Sequence, residues 1–340
     1  MKLFPALVST FLAAETCSEK SSCDDLKKYE RVEAGNFARV QSHVNMKKWG
    51  NLFGINKFFH MRKVSGPEDP IPRPNADTLY SIGVIDLSAG PVGLSVPDVG
   101  DKYFSVTCYD EDMYITAYET APAQFKLKDD DEMSRYQVCA LRIAVNSKEE
   151  LPELHKMQDE AKIFSPQESY PPIDLPDYDQ EQYKIVYSNL LTLSHQMSEL
   201  GDAYAFKGQK DDISRMLGAA AGWGGLGTSM AKYEGGTVQI NDGKTEYMIK
   251  VVGEVPTDCF WSVTTYKEDR LTYGINNINS NNLKRDKDGN VVIIFSNNHT
   301  DESANYLNIE ENWNYIVRIY EPKAPVRDGS WKFPEPVLYQ

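Results

Sequence analysis

"RPNADTLYSIGVIDLSAGP", residues 73–91, decides how the rest of the chain is read. From Thr78 to Leu87 the run is dominated by apolar, aromatic and β-branched residues, and it ends at Ser, Gly and Pro. An alternating run of that composition bounded by turn formers predicts a β-strand. The approach to it, Pro-Asn-Ala-Asp-Thr, has two readings. Asn and Asp side chains bond their own backbone in turns, and Thr does so more weakly, so the segment delivers the chain into the strand. The same residues can carry chemistry. Asp77 and Tyr80 would act as base and acid once burial shifts their proton affinities, with Asn75 and Thr78 orienting a substrate.

Similar short runs follow as far as residue 145: "VGLSVP", "KYFSVTCYD", "MYITAYET" and "YQVCALRIAV". Strands broken by Gly, Pro and Asp predict a sandwich or barrel, not alternating β/α units. Upstream, "SGPEDPIPRP" is a Pro-rich loop, and residues 18–45 show only weak helical spacing. The middle of the chain is helical. "SKEELPELHKMQDEAKIF" has Ser147 as a cap, with Pro152 an alternative start. "QEQYKIVYSNLLTLSHQMSEL" is expected to run to Gly201, and "KDDISRMLGAA" is shorter. "AGWGGLG", residues 221–227, is a turn between domains around Trp223; a helix and not a strand precedes it, so it is no dinucleotide fingerprint. Strands return from residue 236 in "GTVQINDG", "EYMIKVVG", "CFWSVTTYK", "NVVIIFSN" and "NYIVRIYEP", with "NDGK" and "KDGN" as hairpin turns. The expected fold is mainly β with a helical middle segment, an α+β chain. The divisions are a signal peptide at 1–17, a β-rich domain at 18–145, a helical connection at 146–230 and a second β domain at 231–340.

The chain has 340 residues, enough for two domains, and its net charge of −14 argues against a nucleic-acid partner. "MKLFPALVSTFLAAETC" fits a secretory signal and is too short to span a bilayer. A secreted or lumenal protein is expected, with the cytoplasm as the alternative and no stable membrane insertion. The sequon Asn298-His299-Thr300 is compatible with export. Cys17 and Cys23 could pair if the chain is exported. Cys108, Cys139 and Cys259 lie in apolar, strand-like runs and are expected as buried free thiols. No Cys or His spacing matches a metal site. Asp110, Glu111 and Asp112 are a hard-cation cluster or a solvated loop, so a divalent cation is the one cofactor considered.

Candidate site residues divide into two groups. Asp77, Tyr80 and Arg142 would be catalytic, with Arg142 gripping an anion or orienting Asp77. Asn75, Thr78, Trp223, Trp261, Tyr266, Asn276 and Arg318 would bind substrate, because aromatic faces and amides hold sugar or apolar rings. Aromatics at alternating strand positions are equally core residues. A buried Arg318 needs a partner, such as Asp258 or Glu321. Gly-X-Ser-X-Gly is absent, and Ser262 inside a strand is poorly placed for a nucleophile.

"RPNADTLYSIGVIDLSAGPVGLSVPD…KYFSVTCYD" resembles the domain-of-unknown-function family numbered 1254. "FWSVTTYKEDRLTYGINNI…KDGNVVIIFSNN…ENWNYIVRIYEPK…DGSWKFPEPVL" resembles family 1214. Together the resemblance covers roughly residues 45–340. It implies two β-rich domains, sandwich or jelly-roll-like, and no assigned activity. Arg142 falls where the first family tends to place an Arg. "ETAPAQFKLKDDDEMSR" is shorter and more acidic than the family's loop, and "NYLNI" stands where Trp-Leu-Pro is expected. The expected function is a hydrolase or lyase acting on a small organic or sugar-like substrate in a cleft between the β domains. The alternative is a non-catalytic protein that binds a glycan or small molecule. Either could form a homo-oligomer.

Overall fold

A computed structural model of the chain describes residues 29–69, 73–128, 134–197, 200–299, 301 and 304–339. The signal peptide, the Cys17–Cys23 pair and Thr300 of the sequon lie outside the described residues. Helix α1 (Phe37–Phe53) comes first, followed by β1 (Phe59–His60), β2 (Thr78–Asp86), β3 (Val92–Val96), β4 (Phe104–Tyr109), β5 (Ile115–Thr120), β6 (Ala123–Leu127) and β7 (Tyr136–Ala144). The middle holds α2 (Leu151–Glu160), β8 (Lys162–Phe164), α3 (Gln180–Ser194) and α4 (Asp212–Gly222). The last part holds β9 (Ala231–Gly236), β10 (Tyr247–Val251), β11 (Trp261–Lys267), β12 (Arg270–Leu271), β13 (Asn277–Asn279), β14 (Val291–Ser296), β15 (Asn305–Asn308), β16 (Trp313–Tyr320), α5 (Ala324–Arg327) and β17 (Val337–Leu338).

The chain is mainly β, as expected, and each half is built on two sheets. In the N-terminal half, sheet β1-β2-β7-β4-β5 packs on β6-β3-β8. Leu79, Ile85, Val106 and Leu141 meet Leu94 and Leu127 between them. Each such side chain, fully withdrawn from water, stabilises the fold by about 1.5–3 kcal/mol. The opposite face carries Ile82, Val84 and Val138, which pack on Met46 and Trp49 of α1. In the C-terminal half, sheets β15-β14-β10-β17 and β12-β11-β16-β9 enclose Ile249, Ile293 and Phe295 with Val263, Val317 and Ile319. A fourth cluster joins α1, α3 and α4 to Tyr109 of β4 and Tyr320 of β16, so the helical layer touches both halves. Asp179 and Asp211 cap α3 and α4 by accepting backbone N–H bonds. No helix among the described residues is long and apolar enough to cross a membrane.

Several local expectations are corrected by pairing. Lys162–Phe164 leaves the helix and becomes β8, because Ile163 pairs with Leu94 of β3. Ala123–Leu127, expected within a loop, is β6 on the other edge of β3. Helix α3 stops at Ser194, well before Gly201; Gln196 and Met197 bond carbonyls three residues back and close its last turn. The "GTVQINDG" strand is displaced upstream to β9, where "AKYEGG" pairs with β16 despite its glycines. "NDGK" and "KDGN" are turns but not hairpins, since each joins strands of different sheets. Asp242 and Asp286 close them by accepting nearby backbone N–H groups.

Cys108 and Cys139 are not free thiols. They are direct partners across β4 and β7, with Cα atoms 4.0 Å apart, and form a disulfide. Cys259 is the free cysteine among the described residues.

Candidate active site at the seam between the β halves

Strand register gathers the polar residues. Tyr80 of β2 and Arg142 of β7 are direct partners, so they share a face. Ser105 of β4 is the other partner of Arg142, which brings Thr107 and Tyr109 onto the same face at every second residue. The Arg142 guanidinium donates to Thr107 Oγ1 (2.9 Å), Tyr109 Oη (3.4 Å) and the Gly224 carbonyl (2.6 Å). It also lies 5.5 Å from the centre of the Tyr80 ring. In the C-terminal half, Ser262 of β11 partners Arg318 of β16, and Arg318 partners Tyr233 of β9. Thr264 and Tyr266 follow Ser262 on that face, while Trp261 and Val263 point into the sandwich core. Arg318 donates to Thr264 Oγ1 (3.0 Å) and Tyr266 Oη (2.7 Å).

The opening turn fastens the two faces together. Asn75 Oδ1 accepts the Asp77 N–H at 2.8 Å, the side-chain-to-backbone turn expected of this segment. Asp77 is fully buried. Its Oδ2 accepts from Ser262 Oγ (2.6 Å) and Tyr320 Oη (3.3 Å), and its Oδ1 from Asn277 Nδ2 (2.6 Å). Asn75 Nδ2 donates to Tyr320 Oη (2.8 Å), Tyr80 Oη (3.1 Å) and Thr78 Oγ1 (3.4 Å). Tyr266 Oη donates to the Pro74 carbonyl at 2.8 Å. Burial pushes the Asp77 carboxyl above the ordinary carboxylate range; the Arg318 charge and the three donors oppose this without cancelling it. Burial also holds the Tyr320 phenol well above its usual value.

Asn75, Asp77, Thr78, Tyr80, Tyr266 and Arg318 therefore come together, with Arg142 beside Tyr80. Three candidates lie elsewhere. Trp261 packs in the core against Phe333. Trp223 is wedged between Trp49 and Tyr109, with its indole N–H on Ser42 Oγ. Asn276 donates to the Thr272 carbonyl, and its neighbour Asn277 reaches Asp77 instead. One position along the chain changes what a side chain meets. Arg318 is not served by Asp258 or Glu321: the first pairs with Lys323 and the second accepts from Tyr118.

Ser262, set aside in the sequence as a poorly placed nucleophile, and Thr264, Asn277 and Tyr320, not among the candidate site residues, complete the cluster. The available signal was "WSVTTY", where polar residues alternate along a strand that turns out to be covered on both faces. The glycine cluster was under-read too. Gly224, with φ +81°, presents its carbonyl to both Arg142 and Tyr109. A Cβ on Gly225 would stand 2.2 Å from the Tyr204 ring.

The acidic cluster serves the protein itself. Asp110 Oδ1 accepts from Asp112 N–H and Tyr114 N–H. Glu111 bonds His43 and the Tyr136 N–H, and Asp112 pairs with Arg39. Burial raises the Asp110 carboxyl to about 6. A raised folded-state value means that stability is lost as pH rises from the ordinary carboxylate range to about 6 and stays lost above it. Asparagine keeps the turn acceptor without the charge. Asp110→Asn should therefore match wild type near pH 4 and exceed it at pH 7, by up to about 3 kcal/mol. Urea unfolding at the two pH values checks this; an equal difference at both refutes it.

Residues 55–164 match the family described as Protein of unknown function (DUF1254), and residues 228–324 match Protein of unknown function (DUF1214). The chain is similar to one family in each half. Asn75, Asp77, Tyr80 and Arg142 lie in the DUF1254 match, and Ser262, Asn277, Arg318 and Tyr320 in the DUF1214 match, so the seam is built from both. Among solved structures, the VPA0106 protein from Vibrio parahaemolyticus is 18% identical with a TM-score of 0.68, over 91% of this chain and 98% of that one. An uncharacterized protein from Burkholderia cenocepacia is 12% identical with a TM-score of 0.54, over 90% and 88%. At these identities the likeness is one of fold. No curated protein matches the chain.

Proposed function

We propose that the chain is an enzyme of the hydrolase or lyase type, acting by acid–base chemistry on a small organic molecule at the seam. The observation that carries this reading is Asp77: a fully buried carboxyl from one half, held by Ser262, Asn277 and Tyr320 of the other, with its proton affinity raised by burial. Such shifts cluster where protons are moved. Tyr80 is half-buried, and its hydroxyl is tied through Asn75 to Tyr320 and so to Asp77. It is the group best placed to exchange a proton with a substrate, and Asp77 is the positioning carboxyl behind it. The Cys108–Cys139 disulfide favours an exported protein, since thiols stay reduced in most cytosols. Glycan binding by the C-terminal aromatics has less support, because Trp261 and Trp313 are buried in the sandwich core.

The same cluster supports one second reading: with both oxygens of Asp77 occupied, it could act purely as a lock between the halves. Incubating the protein with a metabolite extract and following masses over time separates the two. Under the enzyme reading, at least one species is converted by wild type and at least about 100-fold more slowly by folded Asp77→Asn. Identical conversion profiles for the two proteins and a blank leave only the lock.

A further inference from the structure

We infer that the molecule received at the seam is a monoanion, a small carboxylate docked on Arg142. This rests on reading the seam as a substrate site, and it adds the chemical class. Arg142 is only 5% exposed. Its bonds go to a threonine hydroxyl, a phenol and a backbone carbonyl, all neutral, and its nearest ring is a fourth neutral group. Among the described residues no carboxylate comes within ion-pair distance of it, although Arg39, Arg62, Arg73, Arg135, Arg215 and Arg285 each have one. This occurs in a chain with 50 acidic and 36 basic residues, where a partner would be easy to supply. A buried guanidinium without a counter-charge is costly unless something brings one.

The donor count fits the same ligand. The three recorded bonds leave two of the five N–H donors of a guanidinium without a protein acceptor. Both Nη2 hydrogens are taken by Tyr109 and Gly224, so the free donors are the Nε–H and one Nη1–H, either of which a carboxylate oxygen can accept from. Charge agrees as well. The seam buries two guanidinium groups, Arg142 and Arg318, against one carboxyl, Asp77, whose bonds are all to Ser262, Asn277 and Tyr320, so at least one negative charge is missing at Arg142. Position agrees last. The Tyr80 ring lies beside the Arg142 guanidinium and its hydroxyl is held by Asn75, so a molecule anchored on Arg142 by its carboxylate brings its next atoms to Tyr80.

Binding tests this without turnover. Acetate, benzoate and inorganic phosphate would be titrated by calorimetry into the full chain at pH 7, with ionic strength held constant by chloride. The expected result is one carboxylate per chain, weakened at least tenfold by Arg142→Gln. Without anion, Arg142→Gln should melt no lower than wild type, because it removes a buried charge that lacks a partner; a merely structural arginine would lower the melting temperature. If that variant does not fold, Arg142→Met keeps the apolar stem, removes the charge and should likewise weaken binding at least tenfold. No carboxylate binding, binding indifferent to Arg142, or Arg142-dependent binding of phosphate in preference to carboxylate each overturns the inference. Carboxylate binding with no conversion in the metabolite extract would sink the enzyme reading alone. Conversion of an uncharged molecule without anion binding would sink the docking inference alone.

Discussion

Replacing Asp77 with alanine is expected to destabilise the protein by about 3–5 kcal/mol, the range for removing one partner from a buried charged network. The substitution leaves the Ser262 hydroxyl, the Asn277 amide and the Tyr320 hydroxyl without their acceptor. It also removes the carboxyl whose charge favours the buried Arg318 guanidinium. Each unsatisfied donor costs roughly 1–3 kcal/mol before relaxation. Asp77→Asn should cost much less, since an amide oxygen can still accept from Asn277 and the two hydroxyls can turn to accept from its nitrogen. The raised proton affinity of Asp77 adds a pH signature. Wild type loses stability as pH rises above the ordinary carboxylate range, and the asparagine variant does not. The gap between wild type and Asp77→Asn should therefore narrow as pH rises. Urea unfolding of the three proteins at pH 4 and pH 7 measures both effects. A cost below about 1 kcal/mol for alanine would mean that the cluster does not hold the halves together.

Loss of the Cys108–Cys139 disulfide is expected to cost about 3–4 kcal/mol. The bond closes a loop of sequence separation 31, and the chain-entropy relation assigns that much to a loop of this size. Both residues are fully buried on the face of β4 and β7 that packs against β3 and β6, so reductant should act only on unfolded chains. Intact mass with and without reduction checks the bond. Urea unfolding of Cys108→Ala/Cys139→Ala measures the cost, and a loss under about 1 kcal/mol would refute it. Cys259 should not replace either partner, because burial pushes its thiol up to about 12 and keeps it protonated.

Much of the fold was legible because it depends on local pattern. Strand β2 was visible in "TLYSIGVIDL", since an alternating run rich in β-branched and aromatic residues between turn formers is a local strand signal. The turn before it was visible because Asn and Asp close turns through their own side chains. Elements whose existence depends on a distant partner were missed: β6 and β8 form because both edges of β3 need hydrogen bonds, and β9 forms along β16 although two of its residues are glycine. The disulfide was missed for the same reason. Each cysteine announced only that its surroundings were apolar, and the pairing depends on the register of β4 against β7.

The candidate site divides along the same line. By itself the sequence singled out Asn75, Asp77 and Tyr80 as candidates, because a polar turn leading into a strand is a local contrast, while Arg142 came from the family resemblance. It also determined that Arg318, if buried, needs partners. Only the tertiary structure decided what those partners are. Asp77 meets Ser262, Asn277 and Tyr320 across sequence separations of 185, 200 and 243 residues. No local pattern encodes contacts of that range. They follow from the turn at Asp77 meeting β11, β13 and β16 of the other half, where a shift of one residue in any strand would have sent the same side chains into the sandwich core.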